Sequence, residues 1–112
     1  MFNFFKSKPK NYADLDYEEF HKGSIAKGAM IIDVRTKGEF LSGRLPKALN
    51  YDIMSPDFLS EIQKLPKDKE YYVYCRSGNR SGQACEIMSE MGFDKTYNMA
   101  RGIMSWPYEI VR

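Results

Sequence analysis

The stretch YYVYCRSGNRSGQACEIMSEMGF, Tyr71 to Phe93, decides how this chain is read. It opens on an aromatic and β-branched run that, with Glu70, reads as the strand EYYVYC. It closes on a helical pattern. Ala84, Ile87, Met88 and Met91 fall at i, i+3, i+4 and i+7, which predicts a helix from Ser81 to Met91, and Gly92 stands where a left-handed C-terminal cap belongs. Between strand and helix come Cys75 and then Arg76, Ser77, Gly78, Asn79 and Arg80. A cysteine ending a strand is, by itself, more often a small core residue than a nucleophile. Polar residues around a Gly-Asn pair fill a core poorly, so the segment reads as chemistry. Gly and Asn tolerate positive φ, which lets the loop curl into a nest of inward N–H groups. The following helix adds its free N–H groups and the positive end of its dipole. Arg76 and Arg80 are expected to add two positive charges. Such settings lower a thiol pKa to ~3.5–7.5 from about 8.5, so Cys75 is expected to be largely thiolate.

Outward from this stretch, strands and helices alternate. NYADL is a short extended start, and Asp16 with Glu19 reads as a capping box on a first helix. That helix carries Tyr17, Phe20, His21 and Ser24 on one face, with Gly23 and Gly28 weakening and ending it. AMIIDVR is a buried strand, and Thr36 with Glu39 caps a short helix to about Leu41. ALNYDI is a third strand. Ser55 starts a helix with Pro56 at its first position, and Phe58, Leu59, Ile62 and Leu65 form its apolar side. KTYNM is a fifth strand, and RGIMSWPYEIVR closes with a turn and a short helical piece. This alternation predicts an α/β fold, a mainly parallel sheet covered on both faces. Ligands bind such sheets at the carboxyl ends of the strands, where Cys75 and Asp33 both fall.

With 112 residues the chain is one domain: a tail over 1–10 and a folded domain over 11–112. A net charge of +2 without a basic stripe argues against nucleic-acid binding. Two cysteines, Cys75 and Cys85, suit neither a disulfide scaffold nor zinc spacing, and seven methionines fit a reducing cytoplasm. No apolar run reaches the length of about 20 residues that spans a membrane. Phe2, Phe4 and Phe5 of the tail read as packing back on the domain, although with Lys6, Lys8 and Lys10 they also suit a membrane surface or a partner.

Four stretches resemble the rhodanese-like sulfurtransferases: DVRTKGEF (Asp33–Phe40), GRLPKALN (Gly43–Asn50), CRSGNRS (Cys75–Ser81) and NMARGIMSW (Asn98–Trp106). The resemblance implies a five-stranded mainly parallel sheet with helices on both faces. It also implies Cys75 as the carrier of a persulfide, with Arg76, Ser77, Gly78, Asn79, Arg80 and Ser81 as its binding loop. Three departures stand out: Arg44 for the usual His, Lys47 for the usual Gly, and Ala100-Arg101-Gly102 where two glycines are common. Phosphatases and arsenate reductases of the same fold place five residues between cysteine and arginine. Here four separate Cys75 from Arg80. A phosphoryl group with three free oxygens needs the wider cradle, so the shorter loop favours sulfur.

The implied reaction is a double displacement from a small anionic donor such as thiosulfate to a thiol acceptor, or to cyanide in an assay. It needs no metal and no organic cofactor. A persulfide carrier or redox relay serving a partner protein would show the same residues. Cys85 reads as core packing beside Ala84 and Met88, His21 as a packed or solvated helix residue, and Trp106 as core. Asp33 and Arg35, with Glu39, are expected to brace the strand end. Arg44 and Arg101 either attract anions or are solvated surface charges.

Overall fold

The computed structural model describes residues 12–112, so the expected tail lies outside the described residues. Strands β1 (Tyr12–Leu15), β2 (Met30–Asp33), β3 (Leu49–Asn50), β4 (Glu70–Tyr74) and β5 (Lys95–Met99) form one sheet in the order β1-β5-β4-β2-β3. Every neighbouring pair is parallel. Helices α1 (Tyr17–Ser24), α2 (Lys37–Ser42), α3 (Phe58–Gln63) and α4 (Asn79–Glu90) and a 3-10 turn at Ile103–Ser105 complete it. The predicted parallel α/β sheet is the one observed.

Side chains alternate across a strand, and here both faces are apolar, which is why β4 is an unbroken aromatic and β-branched run from Tyr71 to Tyr74. Tyr71 and Val73 join Ile32, Val34 and Phe58 with Ala84, Cys85 and Met88 of α4 in one core. Tyr72 and Tyr74 join Ile31, Phe20 of α1, Leu45 and Trp106 in the other. The Val, Ile, Leu, Phe and Met side chains among them each contribute roughly 1.5–3 kcal/mol when fully buried. Gly23 lies within α1, where its lack of a side chain lets the helix pack on Tyr72: a Cβ there would overlap the Tyr72 ring and hydroxyl.

Several boundaries differ from the sequence expectation. The helix expected at Ser55 begins at Phe58; Ser55 Oγ instead accepts from Asp57 N at 3.1 Å, closing a turn around Pro56. The ALNYDI strand shrinks to two residues, though Tyr51 N still donates to the Asp33 carbonyl at 2.9 Å. Gly92 takes φ 98° as its position requires, and Phe93 N reaches back to the Met88 carbonyl at 3.0 Å.

The carboxyl end of β2 is held by a buried ion pair. Arg35 Nη2 meets Asp33 Oδ2 at 2.6 Å and donates to the Gly43 carbonyl at 2.6 Å. Asn50 Nδ2 donates to the Asp33 and Arg35 carbonyls at 3.0 and 2.9 Å. Asp33 and Arg35 thus brace the strand end as expected, but Glu39 does not join them; it pairs with Arg80.

Lys47 has φ 66°, the one described non-glycine residue with positive φ. A left-handed conformation costs an L-residue about 1–2 kcal/mol, against roughly 0.5–1 kcal/mol of extra chain entropy lost by glycine. Lys47→Gly is therefore expected to stabilise the fold by about 0.5–1 kcal/mol. Thermal unfolding checks this: Tm should rise by a few degrees, and a fall would mean that the lysine side chain stabilises this turn by more than the strain costs.

Candidate functional site

Cys75 leaves β4 at the carboxyl end of the sheet with none of its surface exposed. Its Sγ accepts three hydrogen bonds: from Gly78 N at 3.1 Å, Ser81 N at 3.3 Å and Ser81 Oγ at 3.3 Å. The positive φ expected in the loop falls on Gly78 (φ 100°, ψ −14°), and α4 begins at once with Asn79, two residues before the predicted start. Gly78 is therefore the N-cap and has no side chain to cap with. Ser81 is the third helical residue, whose N–H has no partner within the helix. The sulfur of Cys75 fills the place of the capping oxygen.

Burial pushes the Cys75 thiol up. The Ser81 hydroxyl and the Ser81, Gly78 and Ser77 N–H groups outweigh it and hold the thiol below its ordinary value. The loop N–H groups expected from the sequence are thus among the donors that depress it, joined by the Ser81 hydroxyl. Arg80 forks onto Glu39, Nη1 to Oε1 at 2.8 Å and Nη2 to Oε2 at 3.0 Å. Its charge is thus matched by a carboxylate instead of facing the sulfur unopposed. Arg76 is exposed, and its carbonyl accepts from Met104 N at 3.4 Å.

Glu39 is the hub of this rim. Its carboxylate accepts from Thr36 N at 3.0 Å and Thr36 Oγ1 at 3.1 Å as part of the α2 capping box, as well as from Arg80. The Arg80 bonds chiefly, with those from Thr36, bring its pKa down from 4.5 to about 2 against the opposing effect of burial.

The loop is braced from behind by residues the sequence reading did not single out for this role. The Gly78 carbonyl accepts from Gly82 N at 3.0 Å and Asn98 Nδ2 at 3.4 Å, and Asn98 Nδ2 also donates to Asp14 Oδ1 at 2.9 Å. Ile103 N donates to the Cys75 carbonyl at 3.0 Å, and the Tyr17 hydroxyl to the Gly102 carbonyl at 2.6 Å. The contact is backbone on backbone. A Cβ at Gly78 would overlap the Ala100 carbonyl, and one at Gly102 (φ 76°) the Arg76 carbonyl. Gly102 keeps the glycine that matters, while Ala100 supplies only backbone.

Cys85 is buried in the core, as expected. His21 stacks on Tyr108 with ring centroids 3.8 Å apart, and Trp106 is buried. Arg44 lies over the Phe40 ring at 4.9 Å and Arg101 over the Tyr17 ring at 5.5 Å, so both departures rest on aromatic faces. Among the described residues no three His, Cys, Asp or Glu side chains gather to hold a metal ion. Among them, no helix is long and apolar enough to cross a membrane.

The family model for the rhodanese-like domain matches residues 16–108. A protein of Allochromatium vinosum named sulfurtransferase is 38% identical over 78 residues, 69% of this chain and 70% of the relative. The mitochondrial protein HIGH ARSENIC CONTENT 1 of Arabidopsis thaliana is 32% identical over 113 residues, covering 90% of this chain and 67% of its own. The crystal structure of a rhodanese-related protein from Thermoplasma volcanium superposes with a TM-score of 0.77 at 29% identity, over 89% of this chain and 98% of that one. The match runs from the N-cap of α1 past the loop to the residues that brace it, and on it this chain belongs to the rhodanese-like domain family.

Proposed function

We propose that this domain is a sulfurtransferase that moves a sulfane sulfur from an anionic donor such as thiosulfate to a thiol acceptor through a persulfide on Cys75. The observation that carries this reading is the convergence of three hydrogen-bond donors on a single buried sulfur. They favour a thiolate and its anionic successor without supplying a base, and a sulfurtransferase-named relative supports sulfur transfer as the chemistry.

In the first step the Cys75 thiolate attacks the outer sulfur of thiosulfate. The new Sγ–S bond forms as the donor's S–S bond breaks, and sulfite leaves with the bonding pair. In the second step an acceptor thiolate attacks the outer sulfur of Cys75–S–S⁻ and restores the thiolate. No proton moves between protein and substrate, so His21, stacked on Tyr108, has no part in it. Cys75 exposes none of its surface, so the loop mouth must widen for a donor to reach it.

Cys75→Ser is expected to abolish transfer from thiosulfate to cyanide, measured as thiocyanate, while Cys85→Ala retains most of it. Full activity in the Cys75 variant would overturn the assignment.

The reactivity of the thiol should follow its donors. In a Cys85→Ala background, alkylation by iodoacetamide should show a midpoint below about 8.5, the free-thiol value. Ser81→Ala should raise that midpoint by removing the hydroxyl donor, whereas Arg80→Gln should move it little. The reverse order would return the thiol's acidity to the arginine.

Glu39 links the rim to pH. Its folded pKa is depressed, so its contribution to stability is complete above its ordinary value of 4.5 and fades as pH falls towards about 2. Glu39→Gln should therefore be less stable than the parent above pH 5 or so and converge with it near the low end of that window. Denaturant unfolding across pH reads this directly; a gap independent of pH would mean the charge of Glu39 is immaterial.

A further inference from the structure

At the end of the sheet opposite Cys75, a cavity of about 610 Å³ opens between the end of α1, the start of β2 and the segment leading into β3. Small-molecule sites fall in the range of roughly 300–1,000 Å³. The cavity is lined by the buried Ile31, Leu45 and Trp106, together with the stacked rings of His21 and Tyr108. Ile25 (67% exposed) and Leu49 (41% exposed) line it as well. Three exposed apolar residues, Ile25, Leu49 and Tyr108, thus gather at one concave place, where single scattered residues would need no explanation.

Charge tells what kind of molecule fits. Lys27 and Lys47 both line the cavity, and neither is ion-paired among the described residues. One carboxylate, Glu109, also borders it, leaving the lining net positive. Lys47 is also the residue held at φ 66°, where glycine would be unstrained. Backbone strain of this kind clusters at ligand clamps and active sites, which points to a use for the lysine side chain. An apolar lining with a positive rim suits a ligand with an apolar body and a single anionic head.

We propose that this cavity binds a small amphipathic organic anion, an acyl or aryl carboxylate, with its apolar part against Leu45 and Trp106 and its carboxylate between Lys27 and Lys47. The site is independent of the Cys75 chemistry and stands or falls separately from it.

Trp106 is the only tryptophan in the chain, so its emission reports on the cavity directly. Octanoate and its neutral counterpart 1-octanol are titrated into the full-length protein, followed by Trp106 fluorescence. Octanoate should shift the emission saturably, with octanol binding at least about tenfold more weakly, a difference of 1.4 kcal/mol. The double variant Lys27→Gln, Lys47→Gly should erase that preference and leave octanol binding unchanged, with its far-UV circular dichroism confirming the fold. No saturable response to octanoate, equal binding of the two probes, or an unaltered preference in the double variant would each overturn the proposal.

Discussion

The constraint on which the site depends is the unsatisfied N-terminus of α4. A helix must find acceptors for its first N–H groups, and Gly78 at the N-cap offers no side chain. The nearest acceptor is the sulfur of Cys75, three residues back along the chain. A thiolate satisfies these donors better than a thiol, because charge-assisted hydrogen bonds are the stronger ones. The acidity of the sulfur and the stability of the helix start are therefore one interaction seen from two ends. Burial alone would drive the thiol the other way.

The surroundings keep that interaction in place by different means. On the side of β2, the buried Asp33–Arg35 pair is tied to Gly43 and Asn50 through main-chain carbonyls. A pair of this kind fixes geometry more surely than it adds stability, since its attraction is largely offset by desolvation. At the rim, Glu39 caps α2 and holds Arg80 with the same carboxylate. Behind the loop, close backbone contact at Gly78 and Gly102 leaves no room for a side chain. The cradle is thus enclosed by an ion pair, a helix cap and two glycines, each on a different element.

What the sequence makes legible is whatever depends on neighbouring residues. The aromatic and β-branched run of β4, the Thr36–Glu39 box, Gly92 and the positive φ at Gly78 all read from local pattern. What stays hidden depends on distant partners. Nothing near Arg80 announces that Glu39, 41 positions away, will take its charge. Nothing near Asn98 announces Asp14, which it meets only because β1 and β5 pair in that register. Local pattern puts the start of α4 late because a sulfur three residues before the N-cap is not a familiar cap. It puts the start of α3 early because the Ser55-Pro56 signal is consumed by a turn. Lys47 is an intermediate case: it stands out as a departure from the family pattern, but only the backbone shows that it keeps the glycine conformation.

The brace behind the loop has a consequence for how the protein comes into being. Asp14 to Asn98 and Tyr17 to Gly102 join positions 84 and 85 residues apart in a chain of 112. Closing so long a loop costs chain entropy before any contact rewards it, so such pairings form late. A nascent chain can assemble β2, β4 and α4 while β5 and the 102–104 segment are still unmade; the loop then has its own bonds from Gly78 and Ser81 to the sulfur but lacks the backing of Asn98, Gly102 and Ile103. The cradle behind the thiol is accordingly complete only when these distant segments have met.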